Sequence, residues 1–124
     1  MASHVMASAH ADSSDSRTCQ SDLTDALEQT WTFIETALSS HPRWVVLVHC
    51  ASGISRSVAL VCHYLMKKQR WSFQDSIQFI RCRHPAAAPN SSFVQQLKLV
   101  ERQLLRQRLL AQVRGLAVHP HACA

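Results

Sequence analysis

Three residue types that can do chemistry together fall at fixed offsets in mid-chain: Cys50, Gly53 and Arg56, with Ser57 directly after the arginine. A thiol attacks only as its thiolate, so a site that uses Cys50 must stabilise negative charge. Ala51, Ser52, Gly53, Ile54 and Ser55 separate the cysteine from Arg56. A guanidinium at that distance can grip two phosphate oxygens at once, which a lysine cannot do. Main-chain N–H groups of the intervening loop can point inward as a nest, and Gly53 lets the backbone approach a guest closely. Phosphoryl transfer is the chemistry that needs a nucleophile, dense donors around the equatorial oxygens and a guanidinium in one place. A hydroxyl on Ser57 can hydrogen-bond the sulfur and help it leave when a phosphorylated cysteine is hydrolysed. A lone cysteine after an apolar strand is usually a buried structural thiol; the company of Gly53 and Arg56 outweighs that reading.

The flanking elements are placed to hold such a loop. Trp44-Val45-Val46-Leu47-Val48 is a β-branched and aromatic run without alternation, which predicts a strand buried on both faces, at the centre of an α/β sheet. Ser57 to about Lys68 is apolar nearly all round and predicts a helix through the core. The loop therefore sits where a strand ends and a helix begins, and the helix N-terminus adds partial positive charge. The Cys50 thiolate shares those donors, so its pKa is expected well below the ordinary value near about 8.5.

Upstream, residues 4–11 read as a short strand and residues 12–21 as a loop. Leu23, Leu27, Trp31, Ile34 and Leu38 recur at helical steps, with Asp22, Asp25 and Glu28 early, where acids suit the dipole. Downstream, Ser72 to Asp75 has capping-box form and opens a helix carrying Phe73, Ile77 and Ile80. His84 to Pro89 is a connector. Asn90 or Ser91 then caps a last helix along Phe93, Leu97, Val100 and Leu104, extending toward Arg114. Gly115 to Ala124 reads as a flexible tail.

The 124 residues suit one small domain without internal repeats, and 47% hydrophobic against 17% charged residues is a globular balance. No apolar run reaches the roughly 18 residues of a membrane span, and the N-terminus lacks the form of a secretory signal. Five cysteines with no CxxC support neither a zinc site nor a disulfide framework and fit a reduced setting. No metal and no cofactor is expected, His119, His121 and Cys123 being too loosely placed in a tail to argue for one. Cys62 and Cys82 read as core thiols, and Trp31, Trp44 and Phe79 as core or half-buried anchors rather than ligands. The formal charge of +5 is open to nucleic acid, anionic lipid or a merely solvated basic face, would also suit attraction to anionic phosphoproteins, and on its own decides nothing. Without interleaved aromatics, nucleic acid is not expected.

The stretch VLVHCASGISRSVALVCHYLMKK, residues 46–68, resembles the signature strand, loop and helix of the dual-specificity protein phosphatases, in particular the small atypical, cysteine-dependent members. The resemblance runs from about residue 10 to 105 and includes Pro89-Asn90-Ser91-Ser92-Phe93. It implies an α/β, cysteine-phosphatase-like central sheet flanked by helices. It also implies an enzyme hydrolysing phosphotyrosine and phosphoserine or phosphothreonine through a cysteinyl-phosphate. Cys50 would be the nucleophile, and the loop of Ala51, Ser52, Gly53, Ile54, Ser55 and Arg56 would bind phosphate. His49 would sit behind the thiolate, Asn90 would buttress the loop and Ser57 would assist release. Asp12 would be the general acid, with Asp15 and Asp22 as alternatives because the stretch before the helix is longer than the family's. The family has further strands and a helix before the acid loop, where eleven residues stand here. The expectation is an N-terminally truncated catalytic domain at 1–105 with a helix extension and tail at 106–124. A sheet edge left open calls for a covering partner. The alternative function is a catalytically weak, pseudophosphatase-like module that binds phosphoproteins. The resemblance implies a phosphoprotein substrate and a cytoplasmic or nuclear location.

Overall fold

The computed structural model describes residues 6–10, 23–51 and 54–117, the first five and last two by backbone alone. Met6–His10 forms β1 and Val45–His49 forms β2. They pair in parallel, with Met6 opposite Val45 and His10 opposite His49. Parallel neighbours need a crossover, and α1, Thr24–Ser40, supplies it. Next come α2 (Arg56–Gln69), α3 (Phe73–Arg83) and α4 (Ser91–Ala117).

α2 is the axis of the domain. Its Val58, Ala59, Leu60, Cys62 and Met66 are buried, as the unbroken apolar stretch of sequence requires. From α1 Leu27, from α3 Ile77 and from α4 Leu97 close on it, each at most 2% exposed. Polar clasps set the register of these helices. The Leu23 N–H donates to Gln96 Oε1 (2.8 Å), tying the start of α1 to α4. The Phe73 N–H donates to Glu101 Oε1 (3.0 Å), tying the start of α3 to the same helix. Ser72 caps α3 by accepting the Asp75 N–H at 3.0 Å, the arrangement its spacing predicts. α2 ends on Arg70 in the left-handed region (φ 59°), a conformation that costs a residue with a Cβ about 1–2 kcal/mol.

Three expectations need correction. β2 is not buried on both faces: Val45 is 51% and Leu47 43% exposed. The described residues provide a sheet only two strands wide, so nothing among them covers that side; the fuller central sheet is not found there. Nor does helix give way to tail at Gly115, because α4 runs through Ala117. One interior glycine costs a helix only about 1 kcal/mol. Cys82 is exposed rather than a core thiol, because it lies on the outer side of α3 between Arg81 and Arg83, both exposed as well. The predicted loop at 12–21 and residues 118–124 lie outside the described residues.

His63 is a polar group within this core. It is 1% exposed, its Nδ1 has no hydrogen-bond partner, and its Nε2 lies 3.6 Å from Glu28 Oε1 on α1. Burial holds the imidazole below its ordinary value of 6.5, with Glu28 pulling the other way. The unfolded chain therefore binds this proton more readily than the folded one. Stability from His63 is complete above about pH 6.5 and falls as pH drops through the window below it. Urea unfolding of His63→Leu should lose less stability than wild type on going from about pH 7 to about pH 5. An equal loss in both proteins would place the acid sensitivity elsewhere.

Candidate active site

β2 and α2 build the site from opposite sides. β2 ends at His49, Cys50 follows in the loop, and α2 begins at Arg56. The half-buried Cys50 Sγ lies 3.3 Å from Ser57 Oγ in the first turn of α2. In the thiol form the S–H donates to that hydroxyl; in the thiolate form the hydroxyl donates to sulfur. Either way the sulfur is held against the positive end of a helix, where negative charge is favoured.

Ser55 occupies the N-cap position of α2 yet makes no side-chain cap to it. Its hydroxyl instead accepts the Asn90 N–H at 3.0 Å. A serine that would ordinarily take one of the first-turn N–H groups thus leaves them uncapped by its side chain. One residue earlier, the Ile54 carbonyl accepts the Ala88 N–H at 2.9 Å. These two bonds hang the loop on the α3–α4 connector. The connector is itself pinned where Arg81 Nε donates to the Ala87 carbonyl (3.0 Å). Asn90 then spends its side chain on α4, Oδ1 accepting the Phe93 N–H at 2.9 Å. The Phe93 ring, 4% exposed, lies 5.9 Å below the Arg56 guanidinium carbon. An aromatic face at that distance attracts the cation and limits where it can swing.

The structure thus brings together Cys50, Ile54, Ser55, Arg56, Ser57 and Asn90. Asn90 reaches the loop through its main chain, while its side chain caps a helix. His49 is the last residue of β2, half-buried, and Ala51 is exposed. Ser52, Gly53 and the three acid candidates Asp12, Asp15 and Asp22 lie outside the described residues. Sequence reasoning did not find the parts played by Phe93, Ala88 and Arg81. For Phe93 a signal existed, an aromatic three positions after the capping asparagine, but its helical spacing was equally that of a core residue. For Ala88 and Arg81 there was none, because Ala88 acts through its own main chain and Arg81 through a side-chain bond to the Ala87 carbonyl.

The two described cysteines outside the loop differ from Cys50. Cys62 is fully buried, and burial pushes its thiol up to about 12, so it stays protonated and inert at neutral pH. Cys82 is exposed on α3. Iodoacetamide at about pH 8 should modify Cys50 and Cys82 in the folded chain and spare Cys62 until urea unfolds it. Native labelling of Cys62 as fast as Cys82 would contradict this core.

Comparison with known proteins places this geometry. The family profile described as dual specificity phosphatase, catalytic domain, matches residues 4–103. The chain is 39% identical over 85 residues to dual specificity protein phosphatase 1B of Arabidopsis thaliana, covering 68% of this chain and 50% of that protein. It is 43% identical over 72 residues to the tyrosine-protein phosphatase yvh1 of Schizosaccharomyces pombe, covering 58% of this chain and 21% of that one. Among solved structures, human DUSP28 matches with a TM-score of 0.66 and 33% identity, over 70% of this chain and 59% of that one. The human tyrosine phosphatase-like serine/threonine/tyrosine-interacting protein matches with a TM-score of 0.64 and 32% identity, over 68% and 54%. The chain thus spans about half the length of the Arabidopsis protein and little more than half of these solved domains. With a family profile matching residues 4–103, most of its length, the chain belongs to the dual-specificity phosphatases.

Proposed function

We propose that the chain is a protein phosphatase that hydrolyses phosphotyrosine and phosphoserine or phosphothreonine through a cysteinyl-phosphate. The observation that carries the reading is the Cys50 sulfur held 3.3 Å from Ser57 Oγ at the N-terminus of α2. The Cys50 thiolate attacks phosphorus and a P–S bond forms as the P–O bond to the substrate breaks. The main-chain amides of residues 51–56 and the Arg56 guanidinium hold the three equatorial oxygens, whose charge they match throughout the transfer. Asp12 gives its proton to the departing oxygen. Water then attacks phosphorus and passes a proton to the Asp12 carboxylate. The P–S bond breaks, and the Ser57 hydroxyl donates to the leaving sulfur. His49 backs the sulfur from the end of β2.

Asp12 is favoured over Asp15 and Asp22 by strand register. His10 ends β1 directly opposite His49, the neighbour of Cys50, and Asp12 follows two residues later. In this reading residues 1–105 act as a partial catalytic domain and 106–124 as its helical extension and tail. The substrate is a phosphoprotein, met in the cytoplasm or nucleus.

A second reading has a specific observation behind it. Val45 and Leu47 on β2 and Phe33 on α1 are exposed, and that apolar surface is where a covering partner would sit. A chain with this surface open could retain phosphate binding and lose productive geometry, and would then act as a phosphoprotein-binding module.

Hydrolysis of p-nitrophenyl phosphate separates the two. Cys50→Ser should lower turnover by at least about a thousandfold, as removal of a covalent nucleophile does. Arg56→Lys should lower it by about 10²–10³-fold, as loss of an oxyanion donor does. Phosphopeptide binding by the wild type with no Cys50-dependent turnover would overturn the enzyme and leave the module.

A further inference from the structure

α4 carries two apolar faces on roughly opposite sides, and only one meets the domain. Phe93 and Leu97 are buried, and Val100 and Leu104 pack half-buried on the core. The opposite side of the helix stays open: Leu105 is 51%, Leu109 62%, Leu110 48% and Val113 60% exposed. At about 100° per residue these four lie within an arc of about 140°, centred on the side away from α2. Leu99, 54% exposed, falls in the same arc. This is the breadth of a face built to be covered, not of scattered surface leucines.

The charges on that face are of one sign. After Glu101 the sequence contains no acid, while Arg102, Arg106, Arg108 and Arg114 follow. Arg108 is turned to the body, where its Nη2 donates to the Met66 carbonyl (3.1 Å). By helical position Arg102 and Arg106 fall inside the apolar arc and Arg114 about 40° beyond its edge, within reach of a long side chain. Arginine inside an apolar arc discriminates between occupants. Against a packed helix its guanidinium would be buried and would need an acid at a matching position. At a bilayer surface the aliphatic stem lies along the apolar layer while the guanidinium reaches the headgroups. A second copy would bring arginines against arginines.

We propose that the outer face of α4 lies on an anionic bilayer surface, with the leucines and Val113 entering the headgroup boundary and Arg102, Arg106 and Arg114 meeting anionic headgroups. The helix lies on the membrane; no described helix is long and apolar enough to cross one. The phosphate loop hangs on the other end of α4, at Asn90 and Phe93. From Asn90 to Leu105 the helix runs about 22 Å, so docking would localise the site without blocking it. The proposal stands independently of the phosphatase reading.

Flotation of the full chain with vesicles tests it. Vesicles of phosphatidylcholine with about 30% phosphatidylserine should bind at least about tenfold more chain than phosphatidylcholine alone, less so as salt rises. Leu109→Gln/Val113→Gln and Arg102→Gln/Arg106→Gln, with unchanged circular dichroism, should each lose at least about tenfold. Equal binding to neutral and anionic vesicles, or full retention by either variant, would overturn the proposal. So would a chain that ignores vesicles and is a dimer dissociated by Leu109→Gln/Val113→Gln, which would assign the face to a second copy. Binding to soluble poly-glutamate as tight as to vesicles and unaffected by Leu109→Gln/Val113→Gln would also overturn it, reducing the face to charge alone.

Discussion

A sulfur anion is costly to keep beside a phosphate dianion unless fixed donors surround both, and the proposed function requires this chain to supply those donors. They come from one junction. A parallel strand ends at His49, a helix begins at Arg56, and the Cys50 sulfur between them is hydrogen-bonded to Ser57 of the first helical turn. The field of that helix end acts where water is partly excluded, so it is worth more than the same dipole in bulk solvent. Ser55 keeps the arrangement open by bonding to Asn90 rather than capping its own helix.

Holding the junction falls to residues distant in sequence. The Ile54 carbonyl and the Ser55 hydroxyl are both engaged by main-chain donors of the α3–α4 connector, Ala88 and Asn90. Asn90 also caps α4, whose Phe93 faces the Arg56 guanidinium. α3 and α4 are in turn fixed to each other through Phe73 and Glu101, and α4 to α1 through Gln96 and Leu23. A shift of the connector would move this loop directly, because the Ala88–Ile54 bond joins main chain to main chain and the Asn90–Ser55 bond runs through only a short hydroxyl side chain. This explains why a small domain devotes polar contacts to fixing helix starts.

Much of this was legible in the residues. The spacing of Cys50 and Arg56 placed a loop between a strand and a helix, and the unbroken apolar run from Val58 to Met66 declared a buried helix. Ser72 and Asn90 announced two helix starts through side-chain chemistry that works locally. What was illegible depended on neighbours. The run at Trp44–Val48 reads as doubly buried, yet burial is a property of the covering layers, and one side of β2 has none among the described residues. Cys82 has the composition of a core thiol and the position of a surface one. The outer face of α4 was hidden in the pattern because its two apolar arcs, laid over each other in one sequence, blur into a helix without a clear stripe.

The proposed function requires that the loop from Cys50 to Arg56 bind a phosphate dianion beside the sulfur, through main-chain amides and the Arg56 guanidinium. Titrating the ¹⁵N-labelled chain with inorganic phosphate while following amide and guanidinium resonances tests it most directly. The account predicts saturable shifts concentrated in residues 51–57 and at Arg56 Nε, and their loss in Arg56→Lys. Shifts confined to the arginines of α4, or a loop that does not respond to phosphate at all, would contradict it.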